Sequence, residues 1–202
     1  MSKLSIIITN RNTKEYLGLA VRSIFENTDT RDYELIIMDD NSSDGSKEWL
    51  NENRVKYNFT YHTHDAPERR GIVNIVQDGI DESTGDILFI GHSDMYYGKH
   101  WDTNLLKYLK PKTMITSTRI EPPIHGEEPC KIIKDFGSFP EEFNEIGFNR
   151  LIDVLQIQYK DAKTSGVFAP NMIYKSDWIG YDKTFIPQSR EDDDMYFTMK
   201  EQ

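Results

Sequence analysis

The sequence predicts an open, mostly parallel α/β sheet with helices on both faces. Three observations lead there. Short apolar runs rich in β-branched residues alternate with segments whose apolar residues recur at helical spacing. Two of those runs end in a polar, carboxylate-bearing turn, at Asp39-Asp40 and at Asp94. The 202 residues suffice for one domain with a sizeable core, and 11 tyrosines and 10 phenylalanines suit a packed chain.

Each element follows from its local pattern. Leu4 to Thr9 is a continuous apolar run, expected as a central strand. Asn10 to Lys14 is a polar turn, and Tyr16, Leu17, Leu19, Ala20, Ile24 and Phe25 place a helix over about 15–26. A loop from Thr28 to Asp32 leads to a second buried strand, Tyr33 to Met38. Asn41 to Ser46 is rich in side chains that hydrogen-bond to backbone, and Asp44 is placed to cap the next helix, with Lys47 to Leu50 in its first turns. Lys56 to Tyr61 alternates as a third strand, His62 to Arg70 is a polar loop, and Ile72, Val73, Ile75, Val76 and Ile80 form a helix face over about 71–82. Ile87 to Ile90 is the fourth strand, entered from the Ser83-Thr84-Gly85 turn.

Beyond Asp94 the alternation loosens. Helices are expected over Trp101 to Leu109, over Glu141 to Tyr159 with a break at Gly147, and in the tail from Glu191 to Lys200. Met114 to Ser117 and Val167 to Tyr174 are expected as strands, the latter broken by Pro170, and Lys175 to Tyr181 as a short helix or turn. With four prolines, 119–140 is expected to be mostly loop.

Composition excludes some functions. The net charge of -10 disfavours indiscriminate binding to nucleic acid or an anionic membrane. Cys130 is the single cysteine, so no intrachain disulfide forms, and a reducing compartment, the cytoplasm, is expected. The apolar run at the start is too short for a signal sequence or a transmembrane segment. There is no G-x-G-x-x-G after the first strand and no G-x-x-x-x-G-K-[ST], which argues against a dinucleotide site and a P-loop.

Ligands of open α/β sheets bind outside the carboxyl ends of the strands, where Asp39, Asp40 and Asp94 are expected. Asp39-Asp40 can accept hydrogen bonds from a nucleobase or ribose, or can simply form the turn. A divalent cation held mainly by diphosphate oxygens needs only one or two protein ligands. Asp94 can supply one and His92 a second, and an imidazole there would favour manganese over magnesium. The alternative is that Asp94 only caps the following turn. Glu191-Asp192-Asp193-Asp194 is either an acidic helix start or the source of a general base. His62 and His64 read as loop histidines, and His125 lies in a loop able to fold over a substrate. Trp101 and Trp178 read as packed aromatics.

Four segments, in order, resemble the inverting, nucleotide-sugar-dependent glycosyltransferases of family 2, with the GT-A fold. They are Leu4 to Arg11; Glu34 to Ser46, close to the family's hydrophobic-Asp-Asp-x-Ser-x-Asp-Gly-Ser/Thr signature; Gly71 to Asp94, leading into the D-x-D position; and Gly180-Tyr181-Asp182 followed by Glu191 to Asp194. The resemblance implies that Thr9, Arg11, Asp39, Asp40, Arg70 and Ser93 serve the nucleotide site. It also implies that Asp94 holds a divalent cation, Mn²⁺ or Mg²⁺, and that Asp192 is the general base. His92 stands where the family has the first Asp of D-x-D, a departure that bears on donor identity and metal binding. The resemblance further implies a single GT-A-like domain over 1–202, with a nucleotide-sugar half at 1–98 and an acceptor and catalytic-base half at 99–202. A UDP-sugar donor and a hydroxyl acceptor follow, and the absence of a Gln-x-x-Arg-Trp segment implies non-processive transfer. Two other readings compete: a catalytically degenerate sugar- or nucleotide-binding module, motivated by His92, and a nucleotidyltransferase.

Overall fold

Seven consecutive buried residues make β1 (Leu4–Asn10) the centre of the sheet. It pairs in parallel with β2 (Tyr33–Asp39) on one side and with β4 (Ile87–His92) on the other. The structure is a computed structural model that describes residues 2–64, 68–123, 131–158, 170–185 and 191–201.

Side chains of a strand alternate between faces, and β1 has apolar residues for both. Ile6 and Ile8 join a cluster with Leu17, Ala20, Val21 and Ile24 of α1 (Lys14–Asn27) and Leu50 of α2 (Ser46–Tyr57). Ile7 joins Ile75, Val76 and Ile80 of α3 (Ile72–Glu82) in a second cluster on the opposite face. A strand run apolar at every position is therefore buried from both sides.

With β3 at Thr60–Thr63, β5 at Ile115–Thr116 and β8 at Asn171–Tyr174, the strand order is β3-β2-β1-β4-β8-β5. β3 (Thr60–Thr63) is parallel to β2. The chain moves outward from β1 to β3 and then returns through α3 to β4, so the order reverses between β1 and β4. Ligand crevices of open sheets lie at such a reversal.

The third strand departs from expectation. The helix runs on to Tyr57, is stopped by Asn58 in the left-handed conformation (φ 51°), and the strand follows at 60–63 rather than 56–61. Asparagine tolerates that conformation, and the amide of Phe59 closes the helix end on Arg54. Tyr57 and Phe59 lie under Trp49, at ring-centroid distances of 6.3 Å each, so tertiary packing overrides the local alternation.

The second half is less regular. The helix expected over 101–109 is α4 (Trp101–Leu106). β5 (Ile115–Thr116) is two residues long and pairs antiparallel with β8 (Asn171–Tyr174), which is itself antiparallel to β4. The segment expected as loop carries β6 (Arg119–Glu121) and β7 (Lys131–Ile133), a separate parallel pair whose three-residue strands are too short to show a period. α5 (Glu145–Gln158) is not broken at Gly147: the Gly147 amide donates to Asn144 Oδ1 at 2.9 Å, which makes glycine part of a capped first turn. α6 (Glu191–Glu201) opens with four acidic residues, as favoured at a helix start. Among the described residues, no helix is long and apolar enough to cross a membrane.

Candidate active site where the strand order reverses

The carboxyl ends of β1 and β4 open into a cleft of about 210 Å³, lined by Thr9, Asn10, Arg11, Thr13, Asp40, Arg69, Ile72, Ile75, His92, Ser93 and Asp94. Its two sides are tied together. His92 Nδ1 lies 3.0 Å from Thr9 Oγ1, the Ser93 amide donates to the Thr9 carbonyl at 3.1 Å, and the Thr13 and Ser93 hydroxyls are 2.7 Å apart. From beneath, the Tyr97 hydroxyl donates to the His92 carbonyl at 3.0 Å. A Cβ on Gly91 would run into that hydroxyl, so glycine is what lets Tyr97 support the strand end.

The acidic signature after β2 is mostly internal structure. Asp39 is buried, and its carboxylate accepts from Asn10 Nδ2 at 2.6 Å, Ser42 N at 3.0 Å and Ser42 Oγ at 2.5 Å. The loops after β1 and β2 are laced further by Asn12 N to Ser42 Oγ and Ser43 N to Asn12 Oδ1. Asp44 accepts from the Ser46 amide and hydroxyl and from the Lys14 amide at the start of α1. Burial opposes its ionisation, but these hydrogen bonds prevail and lower its pKa. The Asp44 carboxylate therefore serves the starts of two helices. The residue before α2 is Gly45, at φ 90°.

Asp40 lies on the cleft floor, 1 % exposed. It accepts from the amides of Arg70 (2.8 Å) and Gly71 (3.2 Å) and from Arg69 Nε (3.2 Å), while its carbonyl accepts from Arg11 Nη1 at 2.5 Å. Arg70 offers the site its backbone only: its guanidinium pairs with Asp78 at 2.7 Å, in the second turn of α3. Of these two arginines, Arg69 is the one that lines the cleft. The choice between two adjacent arginines depends on the turn at Gly71 (φ 77°), and no sequence pattern signals it.

Asp94 is exposed at the cleft edge and has no hydrogen bond or ion pair among the described residues. Asp192, half-buried in the first turn of α6, comes to the same end of the sheet. His92 and Asp192 are close enough for each charge to act on the other. Burial raises the Asp192 pKa, and the neighbouring Asp193 adds to the rise. Burial lowers the His92 pKa, outweighing the opposite pull of Asp94, Asp192 and Glu191, so the imidazole is neutral at pH 7. Burial likewise raises the Tyr181 pKa, with Asp192 and Glu191 adding to it.

Among the described residues, no group of three or more His, Cys, Asp or Glu converges as a metal cage. The donor set is one exposed carboxylate, Asp94, beside one neutral imidazole, His92. That set fits a hard cation completed by ligand oxygens and does not fit a protein-only site.

The structure thus gathers Thr9, Arg11, Asp40, Ser93, His92 and Asp94 in one cleft, with Asp192 beside it. It holds Asp39 beneath and turns the Arg70 side chain away. Asn10, Thr13, Arg69, Ile72 and Ile75 join the lining without having been singled out in the sequence. Thr13 lies in the short loop between β1 and α1. His62 lies on β3, paired with Met38, away from the cleft. His125 and Cys130 lie outside the described residues. Trp101 is packed against Phe89, centroids 4.3 Å apart, and Trp178 against Tyr181, centroids 5.1 Å apart.

The sequence pattern of Glycosyl transferase family 2 matches residues 5–179, from the second residue of β1 to beyond β8. The chain belongs to that family. A relative, the GalNAc(5)-diNAcBac-PP-undecaprenol beta-1,3-glucosyltransferase of Campylobacter jejuni, is 28% identical over 174 residues, 83% of this chain and 50% of that one. The chain therefore spans about half the length of this relative. Among solved structures, S. aureus TarS 1-349 superposes with a TM-score of 0.61 at 13% identity, covering 94% of this chain and 52% of that one. The mannosyltransferase PcManGT from Pyrobaculum calidifontis, in complex with GDP-Man and Mn²⁺, superposes with a TM-score of 0.52 at 20% identity, over 57% and 35%. These likenesses establish the GT-A fold for this family 2 chain.

Proposed function

We propose that this chain transfers a sugar from a nucleoside diphosphate donor, a UDP-sugar, to an acceptor hydroxyl with inversion at the anomeric carbon. The observation that carries the reading is the pairing, at one sheet end, of an exposed carboxylate without a partner among the described residues (Asp94) with a half-buried carboxylate of raised pKa (Asp192). In this reading residues 1–98 bind the donor, and residues 99–202 supply the acceptor side and the base within one GT-A-like domain. Thr9, Arg11, Asp40, Arg69 and Ser93 face the nucleotide and its diphosphate. Asp39 acts from below by holding Asn10 and Ser42, and Arg70 acts through its amide on Asp40.

Asp94, with His92 beside it, would hold a divalent cation, Mn²⁺ or Mg²⁺; when bound, such an ion neutralises negative charge on the diphosphate. Asp192 accepts the proton of the acceptor hydroxyl. The oxygen bonds to the anomeric carbon from the face opposite the leaving group. The bond from that carbon to the diphosphate oxygen breaks, and its electron pair leaves with the nucleoside diphosphate. A carboxylate whose pKa is raised toward neutrality is the better base for this step. Transfer of one sugar per encounter, without processive extension, is part of the reading. One cysteine and a nucleotide donor suit a reducing setting, the cytoplasm. The name of the C. jejuni relative suggests a saccharide hydroxyl as the acceptor class.

One observation favours a second reading. His92 occupies the place of a D-x-D carboxylate and is tied to Thr9, which suits a binding module without turnover. Calorimetry separates the two. UDP and GDP are titrated with Mn²⁺, with Mg²⁺ and with chelator, into wild type and Asp94→Ala. Metal-dependent UDP binding that is lost in the variant, followed by release of UDP from a UDP-sugar on acceptor addition, is expected. Binding without turnover on any acceptor leaves the module reading, and no nucleotide binding removes both.

A further inference from the structure

α5 buries one side and leaves the other bare. Phe148 and Ile152 face inward against Gly98, where a Cβ would strike Ile152. On the opposite side Ile146 is 69% exposed, Val154 54% and Ile157 82%, and Arg150 and Asp153 are exposed between them. Ile146, Arg150, Asp153 and Ile157 follow one another at intervals of four, three and four residues, which places them in a single stripe along the helix. Neither Arg150 nor Asp153 makes an ion pair or hydrogen bond among the described residues, although they are three apart on one helix.

The stripe is a palindrome. Turning the helix end for end about the midpoint between Leu151 and Ile152 exchanges Ile146 with Ile157 and Arg150 with Asp153. A two-fold axis requires such a patch, in which residue i meets j and j meets i. We propose that α5 is a self-complementary docking face and that its partner is a second copy of this chain, packed antiparallel. In that pairing each Arg150 meets the Asp153 of the other copy, and the two charge pairs lie between Ile146–Ile157 contacts at either end. Val154 extends the apolar edge. None of the residues of the stripe lines the cleft.

Charge complementarity sets the register, and charge reversal tests it. Sedimentation velocity over a concentration series, with circular dichroism as the fold check, is run on wild type, Arg150→Asp, Asp153→Arg and the double variant. Wild type is expected to show a reversible monomer–dimer equilibrium. Each single reversal places like charges opposite one another and weakens dimerisation by about tenfold or more. The double reversal restores opposite charges and brings affinity back to within about threefold of wild type. As a second measurement, in a Cys130→Ser background, Ile146→Cys combined with Ile157→Cys forms a covalent dimer on oxidation, whereas the cysteine-free background does not. A monomer at every concentration, a dimer indifferent to the single reversals, or a double variant that stays weak overturns the proposal.

Discussion

At the amino end of the central strands, Glu34 accepts hydrogen bonds from Lys3 Nζ (2.9 Å), Ser5 Oγ (2.6 Å) and the amide and hydroxyl of Thr84 (2.6 and 3.0 Å). At the carboxyl end, Asp94 stands exposed without a partner among the described residues, and Asp192 is half-buried beside another aspartate. Burial opposes ionisation of both Glu34 and Asp192. At Glu34 the donors outweigh it and bring the pKa down to about 2; at Asp192 they do not, and the pKa rises. One sheet thus carries a carboxylate that stabilises the fold at one end and, at the other, one whose ionisation works against it. The loop from Asp39 to Asp44 shows that position alone does not decide which is which: it lies at the cleft end, yet its carboxylates are saturated by the protein's own donors.

The strongest way to break this contrast is Asp192→Asn. If Asp192 is the base, turnover falls about a thousandfold or more while donor affinity holds. Its acid limb is equally diagnostic. The base must be unprotonated, so the rate falls as pH drops through a value above the 3.8 usual for aspartate. Because the folded state holds this proton more tightly than the unfolded chain, ionisation costs stability above that pH, and Asp192→Asn should unfold no more easily than wild type at pH 7. Steady-state rates against pH, with urea melts of the same samples, read both effects.

Next in size, Asp39→Ala orphans Asn10 and Ser42 and should cost about 3 kcal/mol in urea unfolding, whereas Asp94→Ala should change stability by less than about 0.5 kcal/mol. Equal effects would erase the distinction between scaffold and site carboxylates. Smaller still is Glu34→Gln. The contribution of Glu34 is fully present above 4.5 and is lost as pH falls through about 2, so the variant should be about 2 kcal/mol less stable at pH 7 and converge on wild type in acid. A gap that persists unchanged at pH 2 would place the effect in packing instead of charge.

Much of the first half was legible because its rules are local. The run Ile6-Ile7-Ile8 demands cover on both faces, and α1 and α3 supply it. β6 and β7 were not legible, since three-residue strands carry no period and their pairing joins Arg119 to Lys131 across the fold. Within the site, the positions of Asp40, His92 and Asp94 followed from where strands end. The roles of Arg69 and Arg70 did not, because a turn at Gly71 sends one guanidinium to Asp40 and the other to Asp78.

Sequence alone determined the alternating order of strands and helices, the family and the sheet end at which the cleft opens, since apolar period and motif order are properties of neighbouring residues. Tertiary structure decided which carboxylates remain available there. Asp39 and Asp94 are the same residue type at the ends of nearby strands, but donors from the loops after β1 and β2 converge on Asp39 and, among the described residues, none converges on Asp94. A carboxylate's chemistry is set by the donors, charges and solvent that the fold brings to it.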